Sequence, residues 1–157
     1  MTAALARLNR LIVLLASAAL IVASLVLTFS VVVRYLLQWP TYWQDEAAMF
    51  LLVGATFLSS AWIQEARGHV AIEAISGLLP EPVNRWRRPL VDLLSLAFCG
   101  FFAWKSWTLW HEAWAEGQLS PSIWAPPMWI PYSTMAVGMT LLALQLALQL
   151  AGGMRRA

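Results

Sequence analysis

Charge is scarce in this sequence: 11% of its 157 residues are Asp, Glu, Lys or Arg, against 61% hydrophobic ones. A soluble domain of that length has no core large enough to hide so much apolar surface, so part of the solvent must be lipid. Cysteine occurs once, at Cys99, which excludes an internal disulfide. No C-x-x-C or C-x-x-C-H motif exists for a metal or a covalent haem. The formal charge of +2 is too small for nucleic-acid binding, and no basic stripe has stacking aromatics beside it. Strand alternation and internal repeats are also missing. What fills the sequence instead is long uncharged runs and ten tryptophans.

A helix needs ~20 mostly apolar residues to cross a bilayer. Four segments meet that requirement, at about 11–33, 43–63, 89–112 and 128–150. They predict an all-α integral membrane protein, a bundle of four transmembrane helices forming one domain over 1–157. Ala16-Ser17-Ala18 resembles a signal-peptidase site, but the uncharged run continues from Leu11 to Val33 and reads as an uncleaved span. The third span contains Asp92, in its first turn, and Lys105, about a turn and a half from the far end, where a long stem can snorkel. Pro89 suits the first turn of that span. Between spans two and three, "HVAIEAISGLLP" places Ile72, Ile75 and Leu79 on one side and Glu73 and Ser76 on the other. Ten residues of helix reach only ~15 Å. The stretch at about 70–79 therefore predicts a short amphipathic helix lying in the interface, closed by Pro80 and Pro82.

Four spans put both termini on one side. Arg7, Arg10, Arg67, Arg85, Arg87, Arg88, Arg155 and Arg156 all fall there, Arg34 falls opposite, and Lys105 lies within a span. Positive residues collect in the cytoplasm, so both termini are expected inside. Asp45 and Glu46 then occupy the first turn of a helix that begins at the outer surface. Thr41 and Gln44 fit a capping box, with Thr41 as the N-cap. The carboxylates meet the positive end of the helix dipole, and Glu46 is equally suited to pair with a basic group of a partner. Neighbours at i and i+1 point to different faces, which argues against a paired catalytic site.

Trp39, Trp43, Trp104, Trp107, Trp110, Trp114, Trp124 and Trp129 all fall toward the outer face. They read either as an interfacial belt or, with Trp107 and Trp129 among them, as a platform for a partner protein. Ala143, Ala147 and Ala151 in span four and Ala55 and Ser59 in span two mark faces for close helix approach. Gln145 and Gln149, one turn apart, must face protein, because an unsatisfied amide in lipid is costly. Packing within the chain and docking of another subunit both satisfy that requirement.

Three functions make different demands on a chain with these features. A haem anchor needs two axial ligands on one side, and the two histidines, His69 and His111, lie ~30 Å apart across the hydrocarbon. A stand-alone four-helix carrier needs an ionisable group near the midplane; spans one, two and four have none, and Lys105 has the wrong sign for a cation. An accessory subunit needs only packing faces and decorated surfaces. No enzymatic machinery, metal site or cofactor is expected.

The run Trp43-x-x-Glu46, an apolar span, Arg67-Gly68-His69-Val70-x-Ile72-Glu73 and then Leu79-Pro80 resembles the DctQ-like small permease subunit of tripartite ATP-independent periplasmic (TRAP) transporters. Pro127-x-Trp129-x-x-Tyr132 before the last span is similar too. The family often has an aspartate where Glu73 stands and a proline where Ala136 precedes Gly138. The resemblance implies a bacterial inner-membrane scaffold. Its partners would be a large permease subunit, which carries substrate and sodium by an elevator-like movement, and a periplasmic binding protein that delivers an organic acid. It also implies that Glu46, Arg67 and His69 are structural or subunit-contact positions. His69 would fix the turn after span two, make a local hydrogen bond, or touch the large subunit.

Overall fold

The computed structural model describes residues 3–65 and 81–154. The interfacial helix expected at 70–79, together with Arg67 and His69, lies outside the described residues. Helix α1 (Ala3–Val32) continues through a π-helical turn, Val33–Leu37, and is followed by α2 (Gln44–Glu65), α3 (Glu81–Ala115) and α4 (Trp129–Met154). All four are long and apolar enough to cross a membrane, over Arg10–Leu37, Gln44–Gln64, Leu90–Ala115 and Trp129–Ala151.

The helix ends follow from local chemistry. After the π-helical turn, Gln38 adopts a left-handed conformation (φ 51°), which stops the chain from continuing as helix, and Pro40 keeps it stopped. Helix α3 closes on Gly117, whose φ of 62° only glycine adopts without strain. There Gln118 N donates to Ala113 O at 3.0 Å and Gly117 N to Trp114 O at 3.4 Å, which is a Schellman cap. The beginning of α3 differs from expectation. It starts at Glu81, so Pro82, rather than Pro89, occupies the first turn, where a missing N–H is harmless. Pro89 falls about two turns in and removes one ladder bond without ending the helix.

The helices pack as a row rather than as a closed bundle. Their neighbours run α1–α2–α4–α3, with α1 and α3 at the two edges. Helices α1, α2 and α3 bury stripes of small residues, whereas α4 buries Met139, Gln145 and Leu146 beside Ala136 and Gly138. On α1 the stripe is Ala16, Ala23 and Ser30, seven residues apart, which serves one neighbour. Helix α2, with neighbours on both sides, buries Ala48 and Ala55 on one stripe and Gly54 and Ala61 on another. On the free side of α1, Leu14, Leu15, Ile21, Leu25 and Val31 are all more than 60% exposed. In water that surface would be untenable; in lipid it is the expected one.

The tightest contact joins α2 to α4. A Cβ added at Gly138 would lie 2.4 Å from Phe57 O, so the two backbones touch there. At Gly54 the nearest neighbour, a Thr134 methyl, is an ordinary 3.6 Å away. Small residues permit this approach, as membrane helix pairs generally require.

Candidate functional site

At one end of the row the last turn of α1, the first turn of α2, the end of α3 and the start of α4 converge. A network of side-chain hydrogen bonds lies here. Arg34, in the π-helical turn, donates through Nη2 to Asp45 Oδ2 at 2.6 Å and to Thr41 Oγ1 at 2.8 Å. Fully buried Ser30 accepts from the same Nη2 at 3.3 Å. Its single proton goes to Asp45 Oδ1 at 3.0 Å or to Thr41 Oγ1 at 3.1 Å. Thr41 is therefore not the helix cap that its spacing suggested. The Trp43 carbonyl accepts the first helical bond, from Ala47 N at 2.9 Å, while the Thr41 hydroxyl serves Arg34. Asp45 does more than complement a dipole, since it ties α2 to α1 across their connection. Both members of the pair are about half exposed, so in water alone it would contribute ~1 kcal/mol or less.

Glu46 points the other way. Its carboxylate accepts a hydrogen bond from Ser120 Oγ on one oxygen and from Ser122 Oγ, at 2.6 Å, on the other. Both serines belong to the connection between α3 and α4. That loop is itself closed by Ser120 N to Pro126 O and Met128 N to Gln118 O, each 2.9 Å, around an isolated bridge between Leu119 and Pro127. Ser122 Oγ also accepts from Ala125 N at 3.1 Å, where Ala125 is left-handed (φ 46°). Within this chain Glu46 is held by two hydroxyls. Asp45 and Glu46 diverge toward α1 and the α3–α4 loop, and so cannot act on one atom.

The tryptophans form a ladder. Trp107 and Trp110 meet edge-on at 5.5 Å, Trp110 and Trp114 stack at 6.0 Å, and Trp114 meets Trp129 of α4 at 5.0 Å. Trp107 Nε1 donates to Thr140 Oγ1 of α4 at 3.0 Å. Each such ring pair contributes ~0.5–1.5 kcal/mol beyond its buried area. Trp107 and Trp129 thus join α3 to α4 inside this chain. Trp43 and Trp124 make a separate pair at 6.4 Å, beside the Glu46 anchor.

At the opposite end Gln64 Nε2 donates to Gln149 Oε1 at 3.0 Å, and Gln149 Nε2 donates to the Gln64 backbone carbonyl at 2.9 Å. Gln145 is 1% exposed. Both glutamines expected to face protein do so, and Gln149 is satisfied by α2. Ala143 and Ala147 are half-buried and Ala151 is exposed, so the close approach belongs to Gly138 instead. Lys105 is exposed, and its ammonium lies 5.0 Å over the ring of Trp104.

Sequence reading alone missed Ser30, Arg34, Gln64, Ser120, Ser122 and Gly138. Ser30 and Arg34, one turn apart before an acidic helix start, carried a usable signal. The serines carried none, because their contact with Glu46 crosses more than seventy residues of chain.

Comparison with curated proteins finds no match. A family model for the tripartite ATP-independent periplasmic transporters, DctQ component, matches residues 23–156, which takes in the last third of α1 and all of α2, α3 and α4. The chain is thus a multi-pass membrane protein that belongs to this family, the small permease component of a TRAP transporter.

Proposed function

We propose that the chain is the scaffold of its transporter. It braces a large, elevator-type permease subunit during sodium-coupled uptake of an organic acid handed over by a periplasmic binding protein. The setting is the bacterial inner membrane, with both termini in the cytoplasm. The observation that carries this reading is the row itself. Among the described residues a single layer of helices presents two broad faces and encloses no lumen, which suits a brace better than a conduit. The polar groups described above fasten one helix to the next: Arg34 to Asp45, Glu46 to Ser120 and Ser122, Gln64 to Gln149. A stand-alone four-helix carrier would need such groups turned toward a solute path. The arginine distribution along the sequence supports the orientation.

Deleting the chain should abolish uptake while leaving the binding protein's affinity for its substrate unchanged, measured by calorimetry. Uptake at wild-type rate without it overturns the scaffold. Solute flux driven by the purified chain alone in vesicles would revive the carrier instead.

The interfacial helix at 70–79 remains part of the proposal. Cysteines introduced at Ile72 and at Ser76 should then differ in labelling by a water-soluble maleimide, the first slow and the second fast. Equal, complete labelling of both would mark the segment as an ordinary loop.

A further inference from the structure

The two edges of the row are not equivalent. The free side of α1 carries Leu14, Leu15, Ile21, Leu25 and Phe29, with no charge between Leu11 and Val33. Lipid alone satisfies it. The free side of α3 carries Leu94, Phe98, Phe101, Lys105, Thr108 and Glu112, which recur at alternating spacings of four and three. Leu94, Phe98 and Phe101 are each between 57% and 67% exposed. This is the spacing with which one helix presents a seam to another. It is interrupted by a cation.

Lys105 lies deep. The span Leu90–Ala115, centred on a hydrocarbon layer of ~30 Å, puts its Cα about 4 Å from the midplane and some 11 Å from the nearer edge. That is deeper than a snorkelling lysine needs to be. Helical side chains also lean toward the N-terminus of their helix, so the stem starts away from the nearer surface. Among the described residues no carboxylate reaches it, and the ring of Trp104 is the group that faces its ammonium. A lipid phosphate at the nearer surface is out of range of a stem ~6 Å long. A charged side chain at this depth is costly unless protein covers and pairs it.

A second copy does not fit. Two copies in one membrane share an orientation, so α3 against α3 would set Lys105 near Lys105. The complement has to be a different helix with the opposite charge.

We propose that the free face of α3 is where a transmembrane helix of the large permease subunit docks, bringing an aspartate or glutamate to the depth of Lys105. The inference rests on the scaffold reading and adds which edge is used and what chemistry meets it. Helix α1 then forms the lipid edge of the complex.

The test uses the assembled transporter, with Cys99 replaced by serine and single cysteines at Phe98 and Phe101 on α3 or at Leu14 and Leu25 on α1. A photoactivatable cysteine-linked probe at either α3 position should cross-link to the large subunit, and at the α1 positions to lipid only. Lys105→Glu should lower the large subunit recovered with a tagged small subunit by at least about tenfold, through like-charge repulsion, while Lys105→Arg retains it. Cross-links from α1 and none from α3, in an intact complex, overturn the docking edge while leaving the scaffold standing. Lipid cross-links from α3 together with undiminished recovery for Lys105→Glu overturn it as well. Failure of the unmodified chain to co-purify with any large subunit removes both readings. The cross-links keep Lys105 unaltered, so the outcome does not depend on how that variant folds.

Discussion

Gly138→Ala is expected to lower the thermal midpoint of the detergent-solubilised protein markedly, whereas Gly54→Ala should raise it by a few degrees. Both changes add one methyl group, and both remove glycine from a helix interior, which by itself favours the helix by ~1 kcal/mol. They differ in what the methyl meets. At Gly138 it would lie 2.4 Å from a backbone oxygen and 2.5 Å from the adjoining carbon of Phe57. Backbone cannot rotate aside, so α2 and α4 must part by about 1 Å before ordinary contact is restored. Parting them stretches the Gln64–Gln149 bonds farther along the same interface. Overpacking of this kind costs ~1–3 kcal/mol, more than the propensity gain returns. The separation can be read directly. A cysteine at Gly54 would place its Cβ 3.8 Å from that of residue 134, inside the ~3.5–4.5 Å range of disulfides. With Cys99 removed, the pair Gly54→Cys and Thr134→Cys should oxidise readily in the otherwise unaltered chain and poorly beside Gly138→Ala. Equal oxidation in both backgrounds would show that the two helices do not touch at Gly138.

That contact also shows where sequence reading stops. Four spans were legible because length and hydrophobicity along a chain determine which segments lipid can accept. The demand that Gln145 and Gln149 face protein was legible for the same reason: hydrocarbon offers an amide no partner. Which helices touch is a different matter. Small residues occur at several positions of span four, and nothing local tells that Gly138, rather than Ala143 or Ala147, meets α2. The order α1–α2–α4–α3 likewise depends on the burial of narrow stripes such as Ala16, Ala23 and Ser30, each too short in side chain to announce itself by hydropathy. Thr41 misled because its spacing to Gln44 imitates a cap while Arg34, seven residues earlier, competes for its hydroxyl. Asp45 and Glu46 were rightly separated by helix geometry, yet only the folded chain assigns one to α1 and the other to the α3–α4 loop. At that loop the family resemblance and the physics meet, since Glu46 is part of the motif that carried the resemblance.

Glu46→Ala should therefore release the α3–α4 loop and destabilise the protein by roughly 2–4 kcal/mol. Two hydrogen bonds to an ionised acceptor are lost together, each of a kind that contributes ~1.5–3 kcal/mol, and they do not add fully because they share one carboxylate. The loss should be visible as faster amide exchange over residues 117–128 and as altered fluorescence of the Trp43–Trp124 pair at its side. Ser120→Ala with Ser122→Ala removes the same bonds from the other partner, so it should reproduce most of the effect. Combining all three changes should then cost little more than Glu46→Ala alone. That non-additivity separates an anchor within the chain from a docking group for another subunit. If Glu46 instead holds a basic side chain of the large subunit, the paired serine change would leave assembly intact while Glu46→Ala disrupts it. In that case the stabilities of the two variants would also be independent. A loop held by this carboxylate keeps Ile123 and Trp124, both exposed, in fixed positions at the end of the row where four helix ends converge. The rigidity of that surface is a consequence of one glutamate and two serines, and it should vanish with either.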